Sequence, residues 1–215
     1  MLSVTLIESR KCGVNIIWIT AVVLTAFTVL CIMGGDLINW PLLGFEVICP
    51  FLIAILVCEW VQTLSDPLID VVIVHSKSLF GWVAGRFLVV AGISSTLCIA
   101  CMLGLRFWVM KFSLIEILFV FITTTFFFTS IGVFASFLSG QPHVPVAVCG
   151  TVWLLTLMVK SLIRFPIVAY VYPLLRFADS DTEIWVGNKL ILTAAAIIIW
   201  LMVYMICKKR RMLIE

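Results

Sequence analysis

The chain has 215 residues, of which 64% are hydrophobic and 12% charged, against roughly 45–50% apolar and about 25% charged in an ordinary soluble domain. So much apolar surface has no place in a water-soluble fold of this length, whose helices would carry polar faces; lipid is the solvent it matches. The net charge of +3 comes largely from one cluster, Lys208-Lys209-Arg210-Arg211, which suits a membrane edge and argues against a nucleic-acid-binding surface.

A membrane-crossing helix needs about 20 mostly apolar residues. Runs of that size occupy residues 14–33, 41–58, 79–103, 113–136, 146–163 and 189–207. Backbone groups in lipid must be paired within their own segment, and strand alternation is absent, so these runs predict an all-α integral membrane protein with six transmembrane helices. Residues 1–215 read as a single transmembrane domain with no soluble domain. The first run is of span length and no small-residue cleavage site follows it, which predicts a retained anchor. Six spans bring the two ends to one side, and Arg10, Lys11 and the basic cluster at residues 208–211 place that side in the cytoplasm of a multi-pass cell-membrane protein. Lys77 then lies inside as well, and Arg106, Lys111, Arg164, Arg176 and Lys189 lie near the outer ends.

Two connections are longer than hairpins require. The first, residues 59–78, is cytoplasmic in this topology. Asp66 before Pro67 is a helix-start signal, because aspartate caps free backbone N–H groups and proline fits the first helical position. The second, residues 164–188, is external. Pro166 and Pro173 break any helix continuing from the fifth span, and the Tyr and Trp content suits the headgroup layer, so it is expected to form an interfacial or re-entrant segment.

Taken singly, Glu59 reads as an interfacial cap and Lys77 as a snorkelling anchor. Taken together, Glu59, Thr63-Leu64, Pro67 and Lys77 resemble the membrane subunits of type-2 ATP-binding-cassette (ABC) transporters, where an acidic residue at the end of the second span precedes a G-T-L-like tripeptide, a proline and a lysine leading into the third. Trp60 stands where that family usually has arginine, and Gln62 where it has glycine. The resemblance extends to the topology of about six helices, internal termini and an external re-entrant segment between spans five and six. It implies a permease in which Glu59, Thr63, Leu64, Asp66, Pro67 and Lys77 belong to a cytoplasmic coupling helix docked on the ATPase. It also implies separate ATP-binding-cassette ATPase subunits carrying ATP and Mg, and a second copy or a related permease subunit. The chain has no G-x-x-x-x-G-K-[ST] phosphate loop, so it is expected to be no enzyme by itself and to carry no cofactor.

Arg86 lies about two turns into the third span, placed either to snorkel or to form an intramembrane ion pair with Glu59. Glu46, Glu116 and Lys160 are expected at the interface near the outer ends. The hydroxyls of Thr123–Thr125, Thr129 and Ser130 suit helix packing or a path lining, and Gly81 and Gly85 suit close helix contact. Cys98 and Cys101 spell C-x-x-C within an apolar run, with no second pair or nearby histidine, and read as small buried hydrophobes; no metal site is expected. The only histidines are His75 and His143, neither in an H-E-x-x-H pattern, and Ser139-Gly140 near His143 lacks a G-x-S-G pattern, which argues against an intramembrane protease. A non-transporting scaffold or self-protection protein stays open as the alternative. An apolar interior lacking buried charge points to an amphipathic or lipid-like cargo, such as a peptide or antibiotic. Reporter fusions at each end of the chain should both report the cytoplasm, and an external C-terminus would overturn this topology.

Overall fold

The computed structural model describes residues 2–33, 40–60, 79–108, 112–139, 141, 143–178 and 184–212. These residues are 94% helical with no strand among them, and six helices are long and apolar enough to cross a membrane. The chain is a multi-pass membrane protein. Helix α1 is Leu2–Met33. Helix α2 is composite: Trp40–Leu42, a π-helical turn Leu43–Ile48, then Cys49–Trp60. Helices α3 (Leu79–Trp108), α4 (Leu114–Ser139) and α5 (Val144–Met158) follow, and α5 tightens into a 3-10 turn over Val159–Arg164. Two short helices come next, α6 (Pro166–Val171) and α7 (Leu175–Ala178), and the chain returns through α8 (Trp185–Met212).

The six runs read from the sequence are the six spans. Most observed helices overrun the predicted bounds: α1 begins at Leu2 instead of residue 14, and α8 covers Trp185–Met212 instead of 189–207. Hydropathy marks only what lipid requires, while helical hydrogen bonding continues into flanking polar residues until something stops it.

Burial separates the spans. In α2 and α4, 61% of the membrane-length window is buried, against 28% in α1 and α3, 22% in α8 and 11% in α5. Helices α2 and α4 therefore form the centre, packed on each other; α4 also meets α5 and α8, α2 also meets α3 and α5, and α1 lies on α3. A chain of edge-to-face rings ties α1 to this centre, with Phe27 and Phe45 centroids 5.9 Å apart and Phe45 and Phe121 6.4 Å apart. On the other flank Phe51 of α2 stacks on Trp153 of α5 at 4.4 Å, and the Trp153 indole N–H donates to the Val47 carbonyl at 3.2 Å.

Two glycines permit the close approaches. A Cβ on Gly44 would run into the Phe27 ring, and one on Gly132 of α4 would run into Cys58 Sγ, which sits 3.6 Å from Cys149 Sγ. Cys98 is buried in α3, and Cys101 Sγ lies 3.6 Å from Thr28 Oγ1 on α1. Three hydroxyls inside α4 fold back on their own helix: Thr129 Oγ1 donates to the Thr125 carbonyl at 2.6 Å, Ser130 Oγ to that of Phe126 at 2.5 Å and Ser136 Oγ to that of Val133 at 2.6 Å. Gly44→Ala should destabilise the bundle by about 1–3 kcal/mol through overpacking against Phe27. Thermal unfolding of purified protein would show it, with partial recovery when Phe27→Leu is added.

A buried ion-pair network as the candidate functional site

The break between α6 and α7 sets the problem that the site solves. Phe165 and Tyr172 are extended, so each short helix is left with free amides at its start and free carbonyls at its end. The connection is nonetheless buried, with Leu174 and Leu175 fully inaccessible and Tyr172 and Pro173 also inside. Polar backbone in that setting needs partners from elsewhere.

Three side chains supply them. Asn188, fully buried in the first turn of α8, directs Nδ2 at the carbonyls of Ala169, Tyr170 and Tyr172 at 3.0, 3.1 and 2.9 Å, gathering the loose end of α6. Lys189 beside it is also fully buried, and Nζ donates to the Pro173 carbonyl at 2.7 Å, to Thr124 Oγ1 of α4 at 2.9 Å and to Glu46 Oε1 at 2.5 Å. An ammonium has three donors, and all three are used. Glu46, in the π-helical turn of α2 and again fully buried, accepts the Arg176 backbone N–H at 3.3 Å on Oε1 and that of Phe177 at 2.5 Å on Oε2. A carboxylate from a distant helix thus caps the first turn of α7, where the helix dipole also favours negative charge.

A second pair flanks the first. The Arg176 guanidinium meets Glu116 of α4, with Nε and Nη2 each 2.5 Å from Oε1, and lies over the Trp185 ring at 5.6 Å. The Tyr172 hydroxyl donates to the Thr156 carbonyl of α5 at 2.6 Å. Burial, and next the Glu46 carboxylate, push its phenol up to about 12, so it remains a donor at neutral pH. Residues 166–178 therefore form a strap fastened to α2, α4, α5 and α8.

This corrects two expectations. Glu46, expected at the interface, is instead fully buried in a pair with Lys189, while Glu116 pairs with Arg176 of the strap. The interior does hold buried charge. Lys160, by contrast, is exposed, with Nζ 5.3 Å from the Phe177 ring centre. A signal was present in the sequence: Glu46 and Lys189 are opposite charges inside or beside apolar runs at the same predicted depth, and such charges are retained where they are paired or functional.

At the opposite end of α2 lies Glu59, which opens the stretch that carries the family resemblance. Glu59 is exposed there. Arg86 Nη1 reaches the Trp60 carbonyl at 3.5 Å, and its guanidinium stacks over Trp82, one turn earlier in α3, at 3.9 Å. The fold thus brings Arg86 to the end of α2 that carries Glu59. Thr63, Leu64, Asp66, Pro67 and Lys77 lie outside the described residues. Pro166 begins α6, and Pro173 stands between the two short helices, where both were expected to break the chain. Ser139 Oγ donates to the Gln141 carbonyl at 3.3 Å, and His143 is exposed just before α5. Compared with known proteins, the chain matches no family model, no curated protein and no solved structure.

Removing one member of a buried pair leaves an uncompensated charge, at a cost of about 3–5 kcal/mol. Lys189→Met should therefore lower stability by about that amount, while the double variant Glu46→Gln/Lys189→Met should be more stable than Lys189→Met alone. Unfolding in detergent micelles, read by tryptophan fluorescence, checks both. A double variant as unstable as the sum of the two single losses would mean that the charges do not act on each other.

Proposed function

We propose that this chain is the membrane subunit of an ATP-driven exporter of the type-2 ABC class. The observation that carries the proposal is the strap: a pair of short helices between the fifth and sixth spans, held against the bundle by buried side chains, as the resemblance in the second-to-third connection calls for. In the proposed orientation both termini face the cytoplasm and the strap lies on the external side, re-entering from the outer interface. The coupling role falls to the segment from Glu59 to Lys77, with Arg86 beside the end of α2 that opens it.

The partners are separate ATPase subunits, which bind ATP and Mg, and a second copy of this chain or a related permease. Two copies are needed because one six-helix unit centred on α2 and α4 is packed through its middle with aromatic side chains, leaving a path to form between units. The cargo is amphipathic or lipid-like, of the kind that moves along apolar helix faces. The buried charges do not alter that, because Lys189 and Glu46 satisfy each other.

Replacing Glu59 and Asp66 together with alanine should reduce ATPase copurification and transport about tenfold or more, through loss of charge-assisted contacts and a helix cap. Membrane insertion should be unchanged, since the segment lies outside the apolar spans. A doubly substituted protein that binds its ATPase and transports at the original rate overturns the coupling role. If no ATPase copurifies with the parent chain, the non-transporting scaffold takes the exporter's place.

A further inference from the structure

The π-helical turn of α2 and its buried carboxylate coincide. In a continuous α-helix the ring of Pro50 would collide with the Glu46 carbonyl four residues before it, and Pro50 has no N–H to offer that carbonyl. The chain instead runs Leu43–Ile48 as a π-helix, with the Cys49 N–H bonded to the Gly44 carbonyl five residues back. Such turns are rare and mark positions where a side chain must be aimed out of ordinary helical register. Here the side chain so aimed is Glu46, and it meets Lys189 and the backbone amides of Arg176 and Phe177.

A π-turn holds one residue more than the α-turn it replaces, and each residue of an α-helix advances by about 100° around the axis. Relaxing the turn to α geometry would rotate one side of it against the other by up to about that angle. The carboxylate would leave the strap, and the Arg176 and Phe177 amides would lose their acceptor. The rest of α2 need not change, because Cys49–Trp60 is regular helix below the turn.

We propose that α2 pins the strap: its π-helical turn holds Glu46 on Lys189 and on the first turn of α7, and relaxation of that turn withdraws the carboxylate and frees the α7 end of the strap, residues 174–178, from the bundle. The pin stands on the geometry around Glu46 alone. It deepens the exporter reading, and rests on it, in one respect: α2 runs from the pin to Glu59 and the segment proposed to dock the ATPase, so a single helix joins the two ends.

Amide hydrogen exchange of the full chain in lipid nanodiscs, followed by mass spectrometry, tests the pin without any ATPase. Pro50→Ala leaves both charges in place but restores the N–H and removes the ring, so the turn can close as α-helix. Exchange across residues 174–178 should then rise about tenfold or more, while residues 120–137 of α4 stay within roughly twofold of the parent. Glu46→Gln should do the same. Thr124→Val, which takes one acceptor from Lys189 but spares the carboxylate and the turn, should raise strap exchange by only about two- to threefold.

If Glu46→Gln fails to insert, the other two variants decide. Strap exchange in Pro50→Ala within roughly twofold of the parent would overturn the pin, as would a rise spread evenly over all spans. An ATPase that copurifies with a chain whose strap ignores Pro50→Ala would sink the pin and spare the exporter. A strap that responds in a chain with no ATPase partner would do the reverse.

Discussion

A lysine ammonium enclosed in an apolar helix bundle is tolerated only where every donor finds an acceptor, because the desolvation cost of a lone buried ion is several kcal/mol. Lys189 meets that condition with one carboxylate, one hydroxyl and one carbonyl, contributed by α2, α4 and the strap. The constraint is mutual. Glu46 is enclosed with Lys189 and two amides of the strap around it, and the α7 end of the strap has in return an acceptor for its free amides. Asn188 and the Tyr172 hydroxyl hold the α6 side of the strap, and the two charges hold its α7 side.

The same economy of polar groups shapes the rest of the molecule. Where helices are continuous, their own hydrogen bonds satisfy the backbone, and α1, α3, α5 and α8 present broad apolar surfaces that suit lipid or a neighbouring subunit. Where the helical pattern is interrupted, at the π-turn before Pro50 and at the two short helices, buried side chains compensate. The two interruptions face each other. Gly44, at the start of the π-turn, lets Phe27 of α1 close over this region, while Phe45 and Phe121 carry the contact on to α4.

Helix α2 gives the molecule its axis. One end carries Glu46 and the strap; the other carries Glu59 and the Trp60 carbonyl, beside Arg86 of α3. Close packing on α4, with Gly132 admitting Cys58 and Cys149, makes α2 a rigid element below its π-turn. The departure of α2 from α geometry lies at the turn that aims Glu46.

Length and hydropathy determined the six spans, because lipid demands about 20 apolar residues per crossing and a self-satisfied backbone. Proline chemistry determined the breaks at Pro166 and Pro173, since a residue without an N–H disrupts a helix that would continue through it and is accommodated in a helix's first turn. Side-chain partnership could not be read the same way. Helices that are apolar on all sides carry no stripe to say which face turns inward, so Glu46 and Glu116 read as separate interfacial charges and Lys189 only as a charge near an outer end. Only the packing of α2, α4 and α8 around the strap decided that Glu46 and Lys189 would meet, and that Arg176 would turn to Glu116. Spans are a property of each segment in its solvent, whereas a buried pair is a property of two segments distant in sequence, and it exists only once the bundle has excluded that solvent.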